Sequence, residues 1–155
     1  MTRLAVFLAS AGYAGFVPFA PGTVGSAVGL GLYALIRWTH APLAAELAVI
    51  GVLLAVGVWA AGVAERHLGI EDPGPVVIDE VAGMLISLVL TGAGWSAAIA
   101  GFLFFRLFDI VKPYPASRLE RLGGGLGIMA DDVMAAIYAN LALQVLLRLA
   151  PGWIA

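Results

Sequence analysis

The sequence contains no cysteine, so it can build neither a disulfide framework nor a thiolate metal site, and thiol redox chemistry is excluded. Charge is almost as scarce. Only 12% of the 155 residues are Asp, Glu, Lys or Arg, the net charge is −2, and no basic tail is present. A nucleic-acid partner is therefore not expected. Just two histidines occur, His40 and His67. No polar or proline-rich linker divides the chain, which predicts a single membrane-embedded domain over residues 1–155. What fills the sequence instead is apolar. Hydrophobic residues make up 62% of the chain, and the mean hydropathy is +1.01, the composition of a membrane protein rather than of an ordinary soluble domain.

The opening segment, "MTRLAVFLASAGYAGF", superficially resembles a secretory leader: a basic residue, an apolar stretch, then small residues. A motif-like stretch, "APGTVGS", follows at once and no polar mature domain appears, so the expectation is an apolar segment lying on or dipping into the bilayer. Charges then punctuate the chain, because a charge at mid-bilayer costs about 3 kcal/mol on insertion scales and so marks helix ends or function. Five apolar runs result: Val24 to Trp38, Leu43 to Val63, Val76 to Leu90, Trp95 to Ile110 and Val133 to Leu149.

The runs lack the alternation of strands, and a bilayer requires internally paired backbone. The predicted fold is all-α, an integral membrane bundle of about five hydrophobic helices. Several runs fall short of the roughly 20 residues a span needs, so they extend into flanking polar residues or cross only partly. A soluble helical bundle with a greasy surface is the alternative.

Threading the chain back and forth through five spans puts "APGTVGS", "ERHLGIEDPGPVVIDE" and "FRLFDIVKPYPASRLERLGGGLGIMADD" on one face. Nothing in the helix count required that. The same face collects Arg3, Arg66, Arg106, Lys112, Arg118 and Arg121, against Arg37 and Arg148 opposite, which makes it cytoplasmic by the positive-inside rule.

On that face Asp79 and Glu80 start the third span, Asp109 ends the fourth, and Asp131 and Asp132 start the fifth, with Asp72 in a loop before them. Two like charges 4 Å apart repel by roughly 4 kcal/mol at an effective dielectric near 20. Such a group needs cations. An oxygen-rich set without cysteine favours Mg²⁺ or Mn²⁺ over zinc. Simpler accounts exist for single members: Asp79 and Asp131 suit helix N-termini, and Asp109 could pair with Arg106 or Lys112 three residues away. Arg106 and Lys112 also suit a phosphate, as could the helix start at "APGTVGS" with the hydroxyls of Thr23 and Ser26. Alone, that stretch reads equally as a capped helix with glycines for close packing. The "GGGLG" run, Gly123 to Gly127, lacks the lysine and hydroxyl of a P-loop and reads as a flexible turn that lets two acidic helix ends meet. His40 and His67 fall on opposite faces, which makes a paired-histidine site improbable, and His67 is the less secure candidate near substrate.

Taken together, "APGTVGS", "DPGPVVIDEVAGM" and "RLFDIVKPYPASRLERLGGGLGIMADDV" resemble, in order and spacing, the three signature blocks of the phosphatidylglycerophosphatase A family, over Gly12 to Leu147. The resemblance implies a multi-pass helical enzyme of the bacterial inner membrane, its active site facing the cytoplasm, that uses Mg²⁺ to convert phosphatidylglycerophosphate to phosphatidylglycerol. Matched residue by residue, the acidic family positions are Asp79, Glu80, Asp109, Asp131 and Asp132, expected as catalytic and metal-holding residues. The basic positions are Arg106 and Lys112, and the polar positions of the first block are Thr23 and Ser26, all expected to bind substrate. From the charges, metal-activated water would attack the terminal phosphate; an aspartyl-phosphate is the competing route.

A small membrane ion transporter is the rival class, but it would be expected to hold its carboxylates at mid-bilayer between broken helices. The "DG…AR…G…D…D" pattern of lipid phosphotransferases and the "PSGH" pattern of histidine-nucleophile lipid phosphatases are both absent.

Overall fold

The computed structural model describes residues 1–150, apart from the Glu120 side chain. The last five residues of the expected domain lie outside the described ones. Among the described residues the chain is wholly helical: α1 (Thr2–Ala9), α2 (Pro21–Trp38), α3 (Leu43–Leu68), α4 (Ile78–Leu88), α5 (Trp95–Val111), a short α6 (Ala116–Leu119) and α7 (Gly124–Leu149), with single 3-10 turns at Ala14–Phe16 and Glu120–Leu122. All five apolar runs became helices. Among the described residues only α3 and α7, at 26 residues each, are long and apolar enough to cross a membrane. The expectation of about five spanning helices is corrected to two candidates by that measure.

The physical reason is clearest at α4. It stops after 11 residues, about 16 Å of rise against a hydrocarbon thickness of about 30 Å. Almost every α4 side chain is buried, so it is a core helix rather than a crossing one. A helix ending inside apolar surroundings must satisfy its last carbonyls. Here Leu85 accepts from the Val89 N–H, and Leu88 from both the N–H and the hydroxyl of Thr91. The carbonyls of Ile86, Ser87 and Val89 converge on one amide, Asn140 Nδ2 of α7, at 3.1, 3.1 and 2.8 Å. Gln144 Nε2 in turn donates to Asn140 Oδ1 at 2.6 Å and fixes its orientation.

Around α4 the packing is close because small residues allow it. On α2, a β-carbon at Gly29 would come within 2.8 Å of the Val81 carbonyl of α4. Gly25 and Gly29, four apart, form a small-residue stripe that lets α2 approach α4 closely, so Gly25 bears out the packing half of the reading of "APGTVGS". The "GGGLG" run is corrected. Rather than forming a flexible turn, Gly124 to Gly127 are the first turn of α7. A β-carbon at Gly125 would overlap the Val58 carbonyl of α3, so glycine is what lets α7 cross α3 here.

Two apolar clusters result. One gathers Tyr33, Met84, Leu85, Leu88, Phe105 and Leu143 from α2, α4, α5 and α7. The other sets Ala5 and Ala9 of α1 against Ala60, Ala61 and Ala64 of α3. The opening segment is thus a packed helix of the fold, further tied by the Val77 N–H donating to the Ala9 carbonyl. Outward lie large apolar side chains, among them Val52, Leu103, Leu107, Leu141 and Val145, more than a soluble surface usually carries.

Candidate active site

The pocket is built from helix ends at one end of the bundle. α2 starts with Pro21 at its first position, where the missing N–H costs nothing, and no side chain caps it. Its neighbours are the first turn of α4, carrying Asp79 and Glu80, and the last turns of α5, carrying Arg106 and Asp109. α5 ends at Lys112, whose left-handed backbone (φ 45°) caps the helix. Asp131 and Asp132 come from α7, two turns inside the helix rather than at its start as expected.

These elements enclose a cavity of about 220 Å³ lined by Pro21, Gly22, Asp72, Asp79, Glu80, Arg106, Asp109, Lys112, Asp131 and Asp132. The five acids and two cations singled out in the sequence are all in its wall. Thr23 is not; it is exposed on α2. Ser26 is fully buried beneath the pocket, donating to the Gly22 carbonyl at 2.9 Å and accepting from Arg106 Nη1 at 3.5 Å. His67 is exposed and lines no part of the cavity.

The acids divide into two sets. Asp109 Oδ2 receives Arg106 Nη1 at 2.6 Å, one turn apart on α5. Asp131 Oδ2 receives Lys112 Nζ at 2.7 Å. The other three, Asp79, Glu80 and Asp132, place carboxylate oxygens within 4.8 Å of one another, with Arg106 3.9 Å from Glu80. Asp79 is 7% exposed and Asp132 3%. Asp79 Oδ1, Glu80 Oε2 and Asp132 Oδ2 are buried without a hydrogen-bond partner, as is the second oxygen of Asp131, Oδ1.

Six carboxylates against two cations leave the wall strongly acidic. Burial, and then the Glu80 and Asp132 carboxylates beside it, push the Asp79 carboxyl well above the ordinary carboxylate range. Burial likewise raises Glu80, against hydrogen bonding to Asp79 and the Arg106 charge, which lower it. Unpaired buried carboxylates are costly unless protonated or joined by a cation. The clustered oxygens of Asp79, Glu80 and Asp132, all hard donors converging from two helices, could hold a hard divalent cation.

Two further residues line the wall: Asp72, which the sequence placed in a loop on this face without a site role, and Gly22 of the first motif. Asp72 sits in the wall although it precedes α4 in a proline-rich loop, and it is not free of partners there. Gly22 is the other: a β-carbon there would overlap Glu80 Oε1 and come 3.0 Å from Arg106 Nη1. The "DPGP" and "PG" turns were the available signals. Next to this cavity lies a wider one of about 530 Å³, sharing Asp72 and Asp131 and adding Glu65, Glu71 and Arg121.

A family model described as Phosphatidylglycerophosphatase A matches residues 7–147. A protein of Bacteroides thetaiotaomicron named "Putative phosphatidylinositol-3-phosphatase" is 40% identical over 138 residues, 84% of this chain and 86% of that protein. Proteins named "Phosphatidylglycerophosphatase A" are similar as well. The one from Escherichia coli is 34% identical over 125 residues, 79% of this chain and 72% of its own length. The one from Haemophilus influenzae is 35% identical over 127 residues, 81% and 77%. No solved structure matches the chain.

Proposed function

The chain belongs to the phosphatidylglycerophosphatase A family of lipid phosphatases, and from that premise we propose that it hydrolyses phosphatidylglycerophosphate to phosphatidylglycerol and inorganic phosphate, with Mg²⁺, as a single membrane domain. One observation carries the reading: three buried carboxylates with unpartnered oxygens stand beside two anchored cations in a cavity of about 220 Å³. That combination suits a phosphomonoester held by a metal on one side and by Arg106 and Lys112 on the other. It suits an ion transporter less well, because the pocket lies among helix ends at one end of the bundle, and family membership sets that class aside.

Asp79, Glu80 and Asp132 would hold the cation. When bound, it supplies positive charge to the phosphate oxygens and makes an associated water a better nucleophile. Arg106 is oriented by Asp109 and Ser26, so its remaining N–H groups face the non-bridging oxygens as a rigid fork. Lys112 is held by Asp131 and adds a second positive charge. Water attacks in line; the P–O bond to the glycerol breaks and the leaving oxygen ends as a hydroxyl. The acids around Asp131 and Asp132 are within the same wall as acceptors for the water's proton. The pocket end of the bundle is read as the cytoplasmic face of the bacterial inner membrane.

Phosphate release from purified protein tests this. Phosphatidylglycerophosphate should be hydrolysed faster than phosphatidate, phosphatidylinositol 3-phosphate and soluble glycerophosphate, with chelator abolishing the reaction. A preference for the inositol lipid, the substrate class named for the Bacteroides relative, would reassign the substrate while leaving the site in place.

A further inference from the structure

The opposite end of the bundle holds a second cavity that the phosphatase reading does not use. α2 rises about 27 Å from Pro21 at the acidic pocket to Trp38, and α5 runs back antiparallel from Trp95. Between these far ends lies a cavity of about 710 Å³. Its floor is the Tyr33 hydroxyl, which donates to the Ala93 carbonyl at 3.0 Å and ties the turn before α5 to α2. Leu35 and Ala98 give it apolar walls. Arg37 and His40 bring polarity and charge to its lining, and Trp38 and Trp95 also line it while being 79% and 69% exposed.

We propose that this cavity binds an anionic phospholipid, with an acyl chain against the Leu35 and Ala98 walls, the headgroup phosphate on Arg37, and both tryptophans at the level of the headgroups. Charge complementarity selects the occupant. An apolar slot alone would take any lipid, whereas the Arg37 guanidinium, with no hydrogen bond or ion pair among the described residues, favours a negative headgroup. The acid facing Arg37 is Glu46, in the first turn of α3, and it tempers the charge without forming a contact pair. Indole rings at an apolar–polar boundary are the pattern of a membrane interface. The uncapped start of α5 at Gly94 and Trp95 lies on the same cavity and adds to its preference for an anion. The inference rests on membrane placement of the bundle and not on its chemistry.

The test is fluorescence quenching of full-length protein reconstituted in vesicles, using dibrominated phosphatidylglycerol in plain phosphatidylcholine and the reverse mixture. Wild type should show about a fivefold preference for the anionic lipid, the size of one surface arginine. Arg37→Gln should reduce it towards unity, with phosphate release unchanged. Made in a Trp153→Phe background so that Trp59 on α3 is the one tryptophan left, Trp38→Phe with Trp95→Phe should keep quenching but lose the preference. Equal quenching by both lipids in wild type overturns the proposal while leaving membrane placement intact. Quenching of Trp59 without quenching of Trp38 and Trp95 also overturns it, since a second copy of the chain would then cover the cavity. No quenching of any tryptophan would remove the membrane placement and the proposal together, while phosphate release would still report separately on the enzyme.

Discussion

Replacing Asn140 by leucine keeps the side chain's approximate volume and removes its hydrogen bonds. Three carbonyls of the α4 end, Ile86, Ser87 and Val89, lose their partner. Gln144 loses the acceptor that holds it. One amide carries only two N–H bonds, so no more than two of the three carbonyls are fully satisfied by it at once. A buried acceptor stripped of its partner costs about 1–3 kcal/mol, which puts the substitution at about 2–5 kcal/mol after partial relaxation. Thermal unfolding of the purified protein in detergent, followed by circular dichroism, should show a lower midpoint. Because α4 carries Asp79 and Glu80 at its other end, Asn140→Leu should also lower kcat more than it raises KM. Asn140→Gln should restore part of both. An Asn140→Leu protein as stable as wild type would refute the argument that this amide terminates α4.

Other outcomes follow from the same geometry. Arg106→Lys removes the fork while keeping the charge, and should cut kcat/KM by about 100-fold in the phosphate-release assay, with unfolding little changed. Thr23→Ala should leave activity near wild type, since Thr23 is exposed and outside the pocket; a large loss would return it to the site. Gly125→Ala should lower the melting midpoint because its β-carbon meets the Val58 carbonyl, whereas Gly51→Ala on the same α3 partner meets nothing and should gain up to about 1 kcal/mol from helix propensity. Acid quenching of a single turnover with substrate labelled in its terminal phosphate should leave no label on protein; label retained on an aspartate would replace direct attack by water with a phosphoenzyme.

What the sequence disclosed follows from which interactions are local. Each of the five apolar runs is helical because hydropathy and backbone pairing are decided within a run. Asp79, Glu80 and Asp109 stand at the helix ends anticipated, since charges avoid the apolar middle. The number of spans failed at α2, α4 and α5, most plainly at α4, whose end is set by Asn140 more than 50 residues later. The glycine run failed likewise. Nothing in "GGGLG" shows that Gly125 must clear a carbonyl on α3, and glycine's local preferences argue for a turn instead. Starting α7 seven residues earlier is what puts Asp131 and Asp132 inside the helix. Spacing also could not separate the acids: it supplied five alike, while side-chain geometry paired Asp109 and Asp131 with cations and drew the oxygens of Asp79, Glu80 and Asp132 within 4.8 Å of one another.

The central claim is that those three carboxylates hold the ion on which phosphate release depends. The direct measurement is Mg²⁺ titration of phosphatidylglycerophosphate hydrolysis after chelation, for wild type and for Asp79→Asn, Glu80→Gln and Asp132→Asn, each checked for folding by thermal unfolding. Wild type should be silent without metal and recover with Mg²⁺. Each folded variant should need far more Mg²⁺ or lose turnover by at least about 100-fold. Full activity in chelator, or folded variants that titrate like wild type, would contradict the account.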